Sequence, residues 1–259
     1  MNESLTVLAE RLGHGDPDVR ASAALSLGKA ADASAVNALL QALAAESDFF
    51  VREYITWSLV RLGDAAVPPL IRMLGHERPV ARQSAAHTLS KIGDARARDA
   101  LIEALKDHHP RVVAKAAFAL GQIADSKAVP PLINLLAHED RELLATLVAV
   151  LEGFGPCAVA PLSHALNHDD WRIREQAADL LRLIGSEHAV PALIEAANDR
   201  FWQVRFAVVN ALGHLGGPDA RDTVQSMCED SHPFVRALVL RMTTSFKTHA
   251  SPPLERPSC

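Results

Sequence analysis

Apolar and polar positions along this chain follow a helical beat that restarts about every 31 residues. The stretch from Asp16 through Arg20 to Gly28 aligns with Phe50-Val51-Arg52 through Gly63, and again with Ala81-Arg82 through Gly93. Taking Arg20 as an anchor, the equivalent position recurs at 52, 82, 113, 144, 174, 205 and 236, at spacings of 32, 30, 31, 31, 30, 31 and 31. Small or apolar residues stand one before each anchor and three, four, seven and ten after it. In the third block these are Ala81, Ala85, Ala86, Leu89 and Ile92, which line one face of a helix.

The ends of this anchor helix are marked by side-chain chemistry. Asp16, Asp48, Asp140 and Asp170 stand four before their anchors, where an oxygen can cap free N–H groups. Pro17, Pro79, Pro110 and Pro233 follow at the first helical position, where a missing N–H costs little. Gly63, Gly93, Gly155, Gly185 and Gly216 stand eleven after, suited to the left-handed residue that ends a helix. A second helix type starts at Val67-Pro68, Val129-Pro130 and Val190-Pro191. The chain opens with a helix of this second type over 3–12 and closes with an anchor helix near Phe246, giving eight hairpins. No such hairpin buries its own apolar faces, so they must stack. The expectation is an all-α solenoid over residues 1–246, with a disordered Pro/Ser-rich tail over 247–259.

Composition agrees with that picture and narrows the partners. Hydrophobic residues make up 49% of the 259 positions but aromatics only 5%, with a single Tyr, which favours closely packed helices over sheets. The net charge of −5 provides no global field for phosphate backbones, so nucleic acid is not an expected partner. Cys157, Cys228 and Cys259 are too scattered for a disulfide framework or a zinc motif. Neither a basic-then-apolar leader nor an apolar run of eighteen residues is present. A soluble cytoplasmic protein, without membrane contact, is the resulting expectation.

The unit Asp-x-x-Val-Arg-x-x-Ala-Ala-x-x-Leu, followed by Val-Pro-x-Leu-Ile, resembles HEAT repeats, and its short period is most similar to the subclass named after phycobilisome lyases. The resemblance covers residues 3–246. It implies a right-handed α-α superhelix with anchor helices on the concave side. It also implies that the anchor arginines Arg20, Arg52, Arg82, Arg174, Arg205 and Arg236, with the Asp four before, link successive turns. Relatives of this kind include bilin-lyase subunits and phycobilisome-degradation factors, so the repeat motif specifies fold far better than function.

With anchor helices facing a groove, the variable positions between their apolar residues become candidate contacts. Five after the anchor stand Leu25, Trp57, His87 and Phe118; nine after stand Lys29, Arg61 and Lys91; two after stand Tyr54 and Lys115. Glu53 and Gln83 flank them. The candidate site is therefore Tyr54, Trp57, Arg61, His87, Lys91, Phe118, Lys29 and Glu53. An aromatic strip with basic neighbours suits a protein segment offering an apolar side chain and a carboxylate. It also suits a tetrapyrrole, stacked on the rings with its propionates on the cations. The aromatics at the turns, Phe49, Phe50, Trp171, Trp202 and Phe234, are expected to pack over neighbouring repeats.

Catalytic chemistry finds less support in the residues. His14, His76, His138 and His168 all stand six before an anchor, just past a helix C-terminus, where an imidazolium would meet the helix dipole. His164 and His168, four apart before two aspartates, are explained by the same helix-end role without a metal. Iron hydroxylases built from similar repeats carry His-Glu pairs directly after the anchor; here His76-Glu77 and His138-Glu139 lie in turns. A HEAT-like DNA glycosylase would need a cationic groove that the acidic balance disfavours. No phosphate loop, nucleophile elbow or triad is visible. The leading expectation is a non-enzymatic scaffold that binds a protein segment, with no cofactor, metal or catalytic residue. The alternative is a bilin lyase subunit or chromophore chaperone.

Overall fold

The computed structural model describes residues 4–248, and side chains as far as residue 244. Sixteen α-helices and no strand occur among these residues. The anchor helices are the even-numbered ones: α2 (Pro17–Ala30), α4 (Phe49–Leu62), α6 (Pro79–Ile92), α8 (Pro110–Ile123), α10 (Arg141–Gly153), α12 (Trp171–Ile184), α14 (Trp202–Leu215) and α16 (Pro233–Thr248). The second type forms α1 (Leu5–Arg11), α3 (Val36–Ala45), α5 (Val67–Met73), α7 (Arg98–Ala104), α9 (Val129–Ile133), α11 (Pro156–Ala165), α13 (Val190–Ala196) and α15 (Pro218–Ser226). Helix α16 runs through Thr248, two residues into the tail expected over 247–259, and the rest of that stretch lies outside the described residues.

The helix ends form as their residues dictate. Asp16, Asp48, Asp140 and Asp170 each accept a backbone N–H of the first turn, at 2.9–3.0 Å. The five glycines eleven after the anchor all have positive φ. In two repeats that slot holds Ala31 and Ala124, at φ 53° and 56°, a conformation that costs an L-residue roughly 1 kcal/mol. One proline departs from the expected helix start: α11 begins a turn early, at Pro156, so Pro161 falls inside it.

Packing divides the described residues into two compact units. The first runs to Leu132 and includes His138–Val150; the second holds Ile133–Ala137 and the residues from Leu151 onward. In the first, α2 packs on α4, α4 on α6, and α6 on α8, with α1, α3, α5 and α7 each against their own anchor helix. Leu27, Leu59, Leu89 and Leu120 from the anchor layer meet Leu39, Leu70 and Leu101 from the other, all fully buried. Helices α2 and α4 approach so closely at Gly28 that a Cβ there would lie 2.8 Å from the Ser58 Cα. The second unit repeats this arrangement with α12 against α14 and α14 against α16, around Leu162, Leu181, Leu193 and Leu212.

Consecutive repeats are joined by the anchor arginines, though not through the aspartate expected. The Asp four before the anchor caps its own helix. The arginine instead reaches the residue six before the next anchor, binding its carboxylate with both Nε and Nη2. Arg20 holds Glu46 at 2.8 and 3.0 Å, and Arg82 holds Asp107 at 2.5 and 2.9 Å. Arg174 holds Asp199 at 2.6 and 3.0 Å, and Arg205 holds Asp230 at 2.7 and 2.8 Å. Nη1 meanwhile donates to turn carbonyls in the arginine's own repeat, such as His168 and Asp169 for Arg174. Arg236 makes only these own-turn bonds among the described residues, to Asp230 and Ser231. The Arg52 guanidinium makes no hydrogen bond or ion pair among the described residues.

Position six before the anchor is also where His14, His76, His138 and His168 sit, and there they shape the turn. His14, His76, His138 and His168 each accept, through Nδ1, the backbone N–H two residues on, all at 3.0 Å. These rings thus shape the turn through the lone pair of Nδ1. Glu46, Asp107, Asp199 and Asp230 accept the equivalent N–H at 2.8–2.9 Å. Either residue type can build the turn; only the carboxylate can also hold the preceding arginine.

These links titrate. Hydrogen bonding from Arg82 holds Asp107 below the ordinary 3.8, and Arg205 does the same for Asp230. At Asp199 burial opposes ionisation, yet the Arg174 and Phe201 bonds outweigh it and its pKa is also lowered. Carboxylates depressed in the folded state stabilise above their unfolded pKa and lose that contribution as pH falls through the folded value. We predict that wild type loses thermal stability as pH drops below about 4. Asp199→Asn should cost about 2 kcal/mol near neutral pH and show a shallower acid dependence, both read from circular-dichroism melts. An unchanged melting temperature for Asp199→Asn would show that the link is not structural.

Candidate binding face on the anchor helices

The positions one, five and nine after the anchor point away from both layers of the core, and in α4, α6 and α8 they hold six of the eight predicted site residues, all but Lys29 on α2 and Tyr54 two after its anchor. Four of the eight candidate residues form one cluster. His87 Nε2 lies 3.0 Å from Glu53 Oε1, and Lys91 Nζ lies 3.9 Å from Glu53 Oε2. The same ammonium sits 4.9 Å from the centre of the Trp57 ring, within the range of cation–π attraction. Trp57 is 50% exposed despite these contacts. On α8, Lys115 lies 6.0 Å from the ring centre of Phe118, itself 43% exposed.

The remaining candidates stand apart from the cluster. Arg61 donates from Nε to the Gly28 carbonyl at 3.2 Å, so it ties α4 to α2. Lys29 is exposed and makes no ion pair among the described residues. Tyr54 is exposed at the edge of α4.

His87 is the electrostatic centre of the cluster. Burial pushes its pKa below 6.5, Glu53 opposes that shift, and Lys115 and Lys91 add to it. The neutral ring that results donates from Nε2 to Glu53. Its Nδ1 is then an acceptor, and it is buried without a hydrogen-bond partner.

A cavity of about 480 Å³ opens between α4, α6 and α8, bordered by Arg52, Glu53, Thr56, His87, Arg111 and Lys115. A second one, of about 280 Å³, continues towards α10, shares Gln83, Arg111 and Lys115 with the first, and reaches Phe118 and Thr146. Arg111 and Thr56 belong to no aromatic or basic column of the sequence, and Arg52 stands there among the repeat anchors. The available signal for Arg52 was the residue six before the next anchor, His76 rather than an acid.

Of the turn aromatics, Trp171, Trp202 and Phe234 pack across repeats as expected, whereas Phe49 and Phe50 pair within one. In the second unit Trp171 stacks on Phe201 at 5.5 Å and Trp202 on His232 at 4.0 Å, with Phe234 edge-on to Trp202. Phe49 and Phe50 meet only edge to face and are both more than half exposed. No three His, Cys, Asp or Glu side chains group to hold a metal among the described residues. No described helix is long and apolar enough to cross a membrane.

Stacked two-helix repeats bearing variable residues on one layer define an α-solenoid repeat protein. The chain belongs to the HEAT-repeat family, whose HEAT repeats match it in overlapping stretches over residues 2–60, 51–121, 67–152, 98–175, 129–200 and 159–242. It is 31% identical, over 197 residues, to the phycocyanobilin lyase subunit alpha of Picosynechococcus sp., in keeping with the short-period subclass. That stretch covers 71% of this chain and 65% of the relative, so the chain spans less than two thirds of the relative's length. Among solved structures, a chain in the complex of Kap95p with RanGDP is similar in fold, with a TM-score of 0.57 at 17% identity. That match covers 92% of this chain and 39% of the other. The complex of CpcE and CpcF of phycocyanin lyase from Nostoc sp. overlaps with a TM-score of 0.44 at 23% identity, covering 94% of each chain.

The His87–Glu53 contact makes a spectroscopic prediction. The His87 ring, followed by NMR, should titrate below 6.5, and Glu53→Gln should move it lower still, because the lost carboxylate favoured the charged form. Since the folded pKa is depressed, the ring disfavours the folded state as pH falls below about 6.5. A rise on Glu53→Gln would contradict this arrangement.

Proposed function

We propose that this chain is a non-enzymatic, cytoplasmic binding module that receives a segment of a protein partner on the anchor-helix face of its first unit. The observation that carries the reading is Trp57, half exposed yet held in place by Lys91, which Glu53 and His87 position in turn. An aromatic fixed in this way loses little entropy when a partner covers it. Desolvating Trp57 and Phe118 would supply affinity. Lys91, held by Glu53, would set the register of a segment that carries a carboxylate.

A second reading is favoured by the likeness to a phycocyanobilin lyase subunit. In it the same rings stack an open-chain tetrapyrrole and the cations meet its carboxylates, and the chain handles a chromophore.

One experiment separates the two: affinity capture from the host lysate with wild type beside Trp57→Ala/His87→Ala, with mass spectrometry and absorbance of the eluate. The protein-segment reading expects one protein held by wild type and weakened about 30-fold or more in the variant, as removal of a binding hot spot implies. Helicity should be unchanged. Full retention by a folded variant overturns this reading. A coloured eluate with no enriched protein transfers the assignment to the chromophore.

A further inference from the structure

The repeats themselves show what an anchor arginine is built to hold. Four anchors precede a carboxylate six before the next anchor, and all four are arginines bound to it through two nitrogens. Three anchors, at 52, 113 and 144, precede a histidine, and two of these three are Val113 and Leu144. A buried guanidinium facing an imidazole in place of a carboxylate would be an uncompensated charge, so the loss of arginine at 113 and 144 is physically reasonable. Arg52 is the exception. It keeps its guanidinium opposite the repeat whose acid is replaced by His76.

Its surroundings do not neutralise it. Arg52 is half-buried at the wall of the cavity between α4, α6 and α8, beside Arg111 and Lys115. None of these three side chains has a hydrogen bond or ion pair among the described residues. The one carboxylate bordering the cavity, Glu53, is taken by His87 and Lys91. Asp140 and Glu142 border the adjoining cavity beside Arg111 and Lys115, but Arg52 is not part of that wall.

We propose that Arg52, Arg111 and Lys115 form a subsite for the carboxylate of an Asp or Glu side chain in an acidic peptide segment, which supplies in trans the acid that this repeat lacks at His76. The subsite adds specificity to the peptide-binding face and rests on that reading. Arg52 provides the same two-nitrogen geometry that its counterparts offer to Glu46, Asp107, Asp199 and Asp230. Arg111 and Lys115 give a second, less directional attraction. Phe49 and Val80, both exposed at the same wall, provide apolar contact for the flanking residues.

The test uses the full chain and a fluorescein-labelled octapeptide of alternating Glu and Gly, with the Gln–Gly peptide as control, followed by anisotropy. The Glu peptide should bind and the Gln peptide should not. Arg52→Gln should weaken binding about tenfold or more, as loss of a charge-assisted pair implies, while Lys127→Gln, a cation outside the cavity, should leave it unchanged. The decisive variant is His76→Asp. By restoring the acid in cis it should raise the melting temperature and weaken the peptide to a similar degree. Equal losses for Arg52→Gln and Lys127→Gln would reduce the effect to diffuse charge attraction and overturn the proposal. So would wild-type affinity in His76→Asp, or competition by free succinate as effective as by unlabelled peptide. If Arg52→Gln has no effect but Trp57→Ala/His87→Ala loses its captured partner, the subsite falls and the face stands. If peptide binding depends on Arg52 while no partner depends on Trp57, the broader reading falls alone.

Discussion

One guanidinium, shared between two turns, holds the repeats in register. Apolar stacking is strong but non-directional, and a row of Leu and Ala side chains does little to choose one sliding position over another. The Arg–carboxylate link adds direction. Nη1 reads the carbonyls of its own turn, and Nε and Nη2 read an acid some 25 residues later, as when Arg174 bonds His168, Asp169 and Asp199. The acid in turn accepts a backbone N–H of the turn it begins. Each link therefore joins an anchor helix to the start of the next, through side chains that are largely buried.

That double duty explains how the scaffold can vary without breaking. Replacing the acid by histidine keeps the turn, because Nδ1 accepts the same N–H, and removes the link. At 113 and 144 the arginine is absent too, and Val113 is buried in the core. At 52 it remains, among cations on an open cavity. The anchor arginine thus links repeats in four places and stands without a carboxylate in one.

The binding face depends on the same rigidity. Glu53 and His87 are 34 residues apart in sequence but 3.0 Å apart in space, a distance set by the packing of α4 on α6. With the ring of His87 fixed, Lys91 and Trp57 are held before any ligand arrives. Preorganisation of this kind lowers the entropic cost of binding. It also leaves Nδ1 of His87 buried and without a hydrogen-bond partner.

The local features of this protein were legible from its sequence, because each depends on residues within one turn of helix. The period, the aspartate caps, the proline starts and the glycine slots follow from helix geometry and backbone sterics alone, and all recur in the structure. The column of Trp57, His87 and Phe118 was legible for the same reason, as a helix fixes which positions share a face. What the sequence did not determine is which side chains meet across repeats. The aspartate four before the anchor and the acid six before it are equally plausible partners on paper, and only the packing of one hairpin on the next brings the second within reach. Packing also diverted Arg61 to the Gly28 carbonyl and left Arg52 without a carboxylate. Helical periodicity gives direction along and around one helix, whereas charge pairing depends on the distance between helices, and that distance exists only in the tertiary structure.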